Sequence, residues 1–304
     1  MPEAAVILSS RSGVQYRRIA AGRRLSSGLR YLVLLVGAAV FLLPILWALS
    51  TSLKIPSQVF EFPPRWIPRP FVWENYVLAW TGTVPFNLFF RNTLIITLIP
   101  ALGTVFSCSL VAYGFALFRF PLRDRLFLLV LATMMIPFQV TVIPTYIIFR
   151  YLGWLDTYKP FIVPSLLADS AFSIFLLRQF FLTIPSELRD AATIDGAGAM
   201  TFYWRVLMPL SKPAVTTVAV ISLMNRWNDF MGPLVYLSSI PKFPVSLGLN
   251  FFKTFYGGGS GGGGVAHLEL LMGAAVLVLT PLVVVFLVAQ RAYIKGVITS
   301  GLRG

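Results

Sequence analysis

The chain has 304 residues, of which 57% are hydrophobic and only 12% are charged, and its mean hydropathy is +0.79. A soluble domain has roughly 45–50% apolar and about 25% charged residues, so this composition excludes a water-soluble globule and predicts an integral membrane protein. The net charge of +14 would suggest nucleic-acid binding in a soluble protein. In a membrane protein, basic residues in short cytoplasmic loops account for it, and no nucleic-acid partner is expected. One cysteine and one histidine exclude an intrachain disulfide and a metal cluster of nitrogen and sulfur ligands.

Six apolar stretches are long enough to cross a membrane, and each contains or begins near a proline, so kinked helices are expected. They cover residues 31–49, 92–118, 126–149, 161–182, 213–237 and 270–289. The first stretch could be a cleaved signal, but its length favours a retained helix. The fourth and fifth stretches carry charge inside the apolar run. The sequence therefore predicts an all-α polytopic membrane protein with six transmembrane helices.

The distribution of basic residues predicts how these helices are oriented. Six spans place both termini on one side, and that side carries sixteen Lys and Arg against eight on the other. The positive-inside rule makes that side cytoplasmic. The predicted parts are an N-terminal tail (1–30), a first span (31–52), an extracytoplasmic loop (53–90), a five-helix core (91–290) and a C-terminal tail (291–304). A glycine-rich run at 257–264 reads as a linker.

The predicted cytoplasmic loop 183–212 has the pattern of two short helices joined by a turn. Pro185 and Ser186 indicate a helix start with Ser186 as the N-cap. Gly196 and Gly198 favour a sharp turn after it. The second helix is predicted over about 200–207, ending before Pro209.

Three of the eleven acidic residues, Glu187, Asp190 and Asp195, lie within nine positions of this loop. On a helix they span roughly 140° of one face, which anionic lipid would repel. Two interpretations remain open from the residues alone: a solvated loop, or a docking surface for a basic cleft on a cytosolic protein.

The same loop resembles the EAA loop of permease subunits of bacterial ABC importers. That pattern is Glu-Ala-Ala, three residues, glycine, and a later proline. Here Asp190, Ala191 and Ala192 are followed by Gly196 and by Pro209. An aspartate replaces the usual glutamate, which shortens the reach of the carboxylate by one methylene.

Further segments are similar to the carbohydrate branch of this family, the maltose-type second permease subunit. They include residues 112–121, Met-Ile-Pro at 135–137, 175–181, Trp-Asn-Asp-Phe at 227–230 and the C-terminal residues 290–301. The resemblance implies an ABC type I importer permease fold with a cytoplasmic coupling helix. It covers the chain from about residue 30 to its end.

The resemblance also implies partners. They are a second, different permease subunit, two ATP-binding subunits and an extracytoplasmic solute-binding protein, all working in membrane lipid. The loop would insert into a cleft of one ATPase. The chain has no Walker lysine motif, so ATP and Mg would be bound by the partner subunits, and no cofactor and no enzymatic activity are expected of this chain.

Polar side chains inside the spans are candidates for a substrate pathway, because charge in lipid is costly. In the fifth span Ser222, Asn225, Arg226 and Asp229 fall on one predicted helix face, and Asp169 lies in the fourth span. The competing interpretation is an intrahelical pair of Arg226 with Asp229, together with hydrogen bonds between subunits.

The substrate class expected from the resemblance is a sugar or related polar solute. The alternatives are a non-sugar solute such as a glycerol-phosphate-like compound or a passive channel, which would leave the acidic loop unexplained. An intramembrane enzyme would need a nucleophile or metal cluster that the spans do not offer.

Overall fold

The computed structural model describes residues 30–84, 86–256 and 267–301, with side chains in the last helix as far as Leu287. The predicted N-terminal tail up to residue 29 and the glycine-rich run at 257–264 lie outside the described residues. Within the described ranges every regular element is a helix. This agrees with the predicted all-α class.

Fifteen helices are described, several of them short. In chain order they are α1 (Arg30–Ser52), α2 (Pro56–Val59), α3 (Glu74–Thr81), α4 (Phe86–Leu117), α5 (Arg123–Thr133), α6 (Phe138–Tyr151), α7 (Lys159–Ile162), α8 (Ala171–Phe181), α9 (Ser186–Ile194), α10 (Ala199–Phe202), α11 (Met208–Leu210), α12 (Lys212–Trp227), α13 (Met231–Tyr236), α14 (Val245–Tyr256) and α15 (Leu268–Gly301). A π-helical turn, Tyr203–Leu207, joins α10 to α11, and 3-10 turns cover Pro164–Leu167 and Ile240–Lys242.

Four of these stretches are long and apolar enough to cross a membrane as they stand: Arg30–Ser52, Phe86–Leu117, Lys159–Phe181 and Leu268–Leu287. Two more are bent pairs of helices, α5 with α6 at 98° and α10–α11 with α12 at 80°. Counting each bent pair as one span gives six spans, the number predicted.

The predicted third span, 126–149, is broken in the structure. α5 ends at Thr133, and α6 begins at Phe138 after Pro137, whose backbone is extended (φ −69°, ψ 143°). Proline lacks an N–H and disfavours helical backbone in the residue before it, so the helix stops there. Pro144, inside α6, is accommodated without a break.

The predicted fifth span, 213–237, was too long. α12 begins at Lys212 but ends at Trp227, and the chain turns before α13 begins at Met231. In this turn the Asp229 carboxylate accepts a hydrogen bond of 3.0 Å from the backbone N–H of Gly232. An aspartate side chain that bonds nearby backbone competes with helix continuation.

α4 is the central helix. It packs against α8 and α12, and its residues contribute to all three apolar clusters of the described structure. Phe86 and Phe89 lie in the cluster with α3, α14 and α15, Ile96 lies in a second, and Cys108 and Tyr113 lie in the third with α8 and α12. The third cluster also underlies α9 and α10, and we call this end of the bundle the α9 end.

Candidate functional site: the α9 loop and an interhelical polar cluster

α9 begins and ends at residues whose backbone preferences suit those positions. Pro185 occupies the N-cap position, and Ser186 is the first helical residue rather than the predicted N-cap, with no side-chain capping bond. At the other end Gly196 adopts a left-handed backbone (φ +78°), as the turn predicted there requires. The N–H of Ala197 then donates to the Ala192 carbonyl at 2.8 Å, which completes a Schellman-type C-cap.

The second helix of the loop extends further than predicted. It runs through α10, the π turn Tyr203–Leu207 and α11 to Leu210, and therefore continues past Pro209. A π turn is wider than an α turn, and this one ends at Leu207, two positions before the proline, where it accommodates the missing N–H. Gly198, unlike Gly196, has an extended backbone (φ −70°, ψ 166°) and stands at the N-cap of α10.

The outer surface of α9 combines carboxylates with an unprotected apolar side chain. Glu187, Asp190 and Asp195 are all exposed. Ile194 is 87% exposed beside them, although isoleucine is usually buried. Ala191 is exposed as well, so the acidic face carries an apolar contact area.

The opposite surface of α9 rests on the bundle. Ala192 is half-buried and packs against the cluster formed by α4, α8 and α12. A small side chain at this position allows the α9 backbone to approach the core. The two alanines of the motif therefore have different roles, one facing outward and one facing the core.

Three arginines cap the end of α4. The last carbonyls of a helix have no partner within the helix, and positive charge is favourable there. Arg178 of α8 donates to the Phe115 carbonyl (3.3 Å), Arg189 of α9 to the Leu117 carbonyl (3.0 Å), and Arg123 of α5 to the Phe118 carbonyl (3.4 Å). α9 is thus hydrogen-bonded to the central helix.

The second half of the loop is also attached to α4. The Tyr113 hydroxyl donates to the Ala199 carbonyl at 2.9 Å, and the hydroxyls of Ser109 and Tyr203 are hydrogen-bonded at 2.7 Å. Tyr203 is fully buried. Both helices of the loop are therefore fastened to one transmembrane helix.

Asp190, the residue that replaces the usual glutamate, makes one weak ion pair within the described structure. Its carboxylate lies 3.9 Å from Arg189 Nε and is 67% exposed. An exposed pair at this distance contributes little to stability. The Asp190 carboxylate is therefore available to a partner, as the docking interpretation requires.

The second candidate site is a polar cluster between α4, the segment before α8, and α12. Arg226 Nη2 donates to Asp169 Oδ2 at 2.9 Å and to Thr104 Oγ1 at 2.8 Å, and the Thr104 hydroxyl donates to Asp169 Oδ1 at 3.0 Å. Arg226 Nε also reaches Ser222 Oγ at 3.4 Å. Asp169 and Arg226, predicted separately, are thus brought together as an ion pair between helices.

Two of the residues predicted for the pathway lie outside this cluster. Asn225 is exposed, and Asp229 lies in the turn after α12, where the helix that carries the polar stripe has ended. The competing prediction of an intrahelical pair between Arg226 and Asp229 is wrong, because Arg226 pairs with Asp169. Thr104 was not among the residues predicted for this site. A hydroxyl group within an uncharged apolar span was the feature that could have indicated it.

At the end of the bundle opposite α9, Asp156 joins the loop between α6 and α7 to the loop after α13. We call this contact the Asp156 clamp. The Asp156 carboxylate accepts hydrogen bonds from the N–H groups of Ser238 (3.1 Å) and Ser239 (3.0 Å) and from Lys242 Nζ (2.8 Å). Burial raises the pKa of Asp156, but the hydrogen bonds from Lys242, Ser239 and Ser238 outweigh it and hold the pKa well below its usual range. Nothing in the local sequence indicated this contact.

Comparison with known proteins agrees with the loop motif. The family described as "Binding-protein-dependent transport system inner membrane component" matches residues 103–299. The sn-glycerol-3-phosphate transport system permease protein UgpE of Yersinia pestis bv. Antiqua (strain Antiqua) is 34% identical over 275 residues, which cover 89% of this chain and 95% of the relative. The protein of the same name from Escherichia coli O1:K1 / APEC is 33% identical, covering 88% and 94%.

The fold is shared with a solved structure described as a bacterial ABC transporter involved in the import of the acidic polysaccharide alginate. The TM-score is 0.77 at 24% identity, covering 88% of this chain and 96% of that chain. The family model matches about two thirds of the chain and the relatives cover almost all of it, and the chain therefore belongs to the binding-protein-dependent transport system inner membrane components, as an ABC importer permease and not an enzyme.

Proposed function

We propose that this permease pairs with a second, different permease subunit and with two ATP-binding subunits, which bind ATP and Mg, and that it receives solute from an extracytoplasmic binding protein. The chain itself uses no cofactor. Both termini and the α9 loop are cytoplasmic in this arrangement, in line with the excess of basic residues on that side.

The observation that carries the proposal is the surface of α9. Ile194 is 87% exposed within a group of three carboxylates, at the end of a helix whose other face is packed. An apolar centre with a charged rim is the usual anatomy of a protein–protein contact. A basic cleft on an ATP-binding subunit would complement the charge of this surface.

The coupling follows from how α9 is fastened. Arg189 ties α9 to the end of α4, and Tyr113 ties α10 to the same helix. A displacement of the docked α9 by the closing ATPase is therefore passed to α4 without an intervening flexible segment. α4 in turn packs against α8 and α12, so the three central helices respond together.

The polar cluster lies where these three helices meet. The side chains of Arg226, Asp169 and Thr104 hydrogen-bond to one another, so the first role of the cluster is to hold α4, α8 and α12 together. Arg226 and Asp169 each remain partly exposed, which leaves room for a solute hydroxyl to compete for them when the helices separate. This makes the cluster our candidate for the substrate pathway, with Ser222 beside it.

The solute we propose is a small polyhydroxylated compound, and a phosphorylated polyol such as glycerol phosphate is the first candidate. A relative named as a permease of an sn-glycerol-3-phosphate transport system is 34% identical over 95% of its length. The predicted extracytoplasmic side carries eight Lys and Arg against four Asp and Glu, which favours an anionic solute. A neutral sugar, expected from the motif resemblance, is the second candidate.

Uptake measurements with the reconstituted transporter test the proposal. Radiolabelled sn-glycerol 3-phosphate should enter proteoliposomes only when ATP, the ATP-binding subunits and the binding protein are present. Unlabelled glycerol 3-phosphate should compete, and glycerol should not. ATP-dependent uptake of a labelled neutral sugar without uptake of glycerol 3-phosphate would select the second candidate, and uptake without ATP would reject the importer.

A further inference from the structure

The turn between α4 and α5 forms an open cleft of about 510 Å³ lined by three arginines. Its lining consists of Arg119, Phe120, Leu122, Arg123, Asp124 and Arg125. Neither the docking function of α9 nor the polar cluster uses these residues. We propose that the cleft binds the phosphate of an anionic phospholipid headgroup.

The charges in the cleft are not balanced by the protein. Arg123 pairs with Asp124 at 3.1 Å and also donates to the Phe118 carbonyl. In the part of the chain that the structure describes, Arg119 and Arg125 have neither an ion pair nor a hydrogen bond from their side chains, and both are exposed. Asp124 is the one carboxylate in the lining, so two guanidinium groups remain for an external anion.

Guanidinium groups suit a phosphate in particular. Their planar N–H donors match two phosphate oxygens at once, and two or three arginines around one cleft can share a single anion. α5 also begins at this cleft, at Arg123, and Leu122 before it gives no side-chain capping bond. The positive end of the helix dipole therefore adds to the field of the arginines.

The apolar surroundings favour a lipid over a phosphate dissolved in water. Four large apolar side chains around the turn remain 39–59% exposed: Phe118, Phe120, Leu122 and Leu126. They alternate with the arginines along residues 118–126. Acyl chains can cover them while the headgroup fills the cleft, as in basic pockets at the cytoplasmic ends of membrane helices.

The test measures binding of a fluorescent phosphatidylglycerol to the purified full-length chain in zwitterionic micelles. The competitors are unlabelled phosphatidylglycerol, phosphatidylcholine with the same acyl chains, and inorganic phosphate. Unlabelled phosphatidylglycerol should displace the probe, and phosphatidylcholine should do so only weakly. The double variant Arg119→Gln with Arg125→Gln should bind phosphatidylglycerol about thirtyfold more weakly, from the usual contribution of a surface arginine to anionic lipid binding.

The matched control removes the same charge at the same end of the bundle. Arg205→Gln with Lys212→Gln replaces two exposed basic residues outside the cleft and should change the affinity less than twofold. Equal losses in both double variants would mean a general surface charge effect and would overturn the proposal. Displacement by millimolar inorganic phosphate would instead assign the cleft to free phosphate. If the first double variant does not fold, Arg125→Gln alone must still lower the affinity about fivefold.

Discussion

Arg189 Nη1 donates a hydrogen bond of 3.0 Å to the backbone carbonyl of Leu117, which joins α9 to the end of the central helix α4. This contact crosses 72 positions of the chain. It satisfies a carbonyl that the helix itself leaves without a partner. The bond gives the loop a direct mechanical connection to the core of the bundle.

We expect Arg189→Met to weaken coupling while leaving docking in place, because methionine keeps most of the apolar stem and removes the donor. Transport in proteoliposomes should fall about fivefold, in line with about 1 kcal/mol for a cation at a helix C-terminus. Co-purification of the ATP-binding subunit should be unchanged. Arg205→Met, an exposed arginine of the same loop, is the control and should transport normally. Loss of co-purification in Arg189→Met would contradict this role.

Ile194 should dominate docking because it is the most exposed large apolar side chain of α9. We expect Ile194→Ser to weaken binding of the ATP-binding subunit at least tenfold, as removal of an apolar anchor does at interface centres. The stability of the isolated chain should change by less than about 0.5 kcal/mol, since the side chain is on the surface. Ile194→Leu should retain binding. A pull-down with the tagged chain measures how much ATP-binding subunit each variant binds. Normal binding by Ile194→Ser would refute the assignment.

The two glycines of the loop provide a matched pair for testing backbone strain. Gly196 has φ +78° with open space around it, so a side chain there is opposed by conformation and not by a clash. Gly196→Val should destabilise the turn by about 2 kcal/mol or more and abolish coupled uptake, with membrane insertion intact. Gly198→Val, also in open space but with φ −70°, should be tolerated. Similar transport by both variants would show that the Gly196 turn is not required.

The elements that could be predicted from sequence are those encoded by neighbours along the chain. Six apolar stretches, the α9 loop and the turn at Gly196 follow from local composition and backbone preference. The predicted end of α12 was wrong because the apolar run continues beyond Trp227. In the structure the chain turns there, and the Asp229 carboxylate accepts a hydrogen bond from the Gly232 N–H within the turn.

Contacts between distant segments could not be predicted in the same way. Arg226 has an acidic residue three positions away, which made Asp229 the natural partner on a continuous helix. The actual partner, Asp169, is 57 positions distant and becomes a neighbour only when α12 packs beside α4 and the start of α8. The bond of Arg189 to Leu117 is equally non-local, and a backbone carbonyl leaves no mark in a sequence.

The pairing of Arg226 with Asp169 predicts energetic coupling between the two residues. Asp169→Asn and Arg226→Gln should each destabilise the chain, and the double variant should lose less than their sum, by about 1–2 kcal/mol. Asp229→Asn combined with Arg226→Gln should show a smaller coupling energy, because Arg226 makes its side-chain ion pair with Asp169 and not with Asp229. Equilibrium unfolding in mixed micelles measures both cycles. Stronger coupling to Asp229 would mean that the polar stripe of α12 continues past Trp227.

The clamp at Asp156 predicts a specific dependence of stability on pH. The folded-state pKa of Asp156 is held below the value of about 3.9 that an unfolded aspartate has. A group with a lowered folded pKa contributes stability that is complete above its unfolded pKa and is lost as the pH falls towards its folded pKa. The stability advantage of the unmodified chain over Asp156→Asn should therefore be constant from about pH 5 to pH 8 and shrink below about pH 4.

Thermal unfolding of the two chains across this pH range is the measurement. Asparagine can keep the left-handed backbone of Asp156 (φ 55°), so the comparison isolates the charge and its hydrogen bonds. Lys242→Met removes the cation from the same clamp and should reduce the advantage of Asp156 over asparagine at neutral pH. Glu74→Gln, an exposed acid at the same end of the bundle, is the control and should change stability by less than about 0.5 kcal/mol. A stability difference that grows as the pH falls below 4 would contradict the lowered pKa, because protonation of Asp156 removes the ion pair with Lys242.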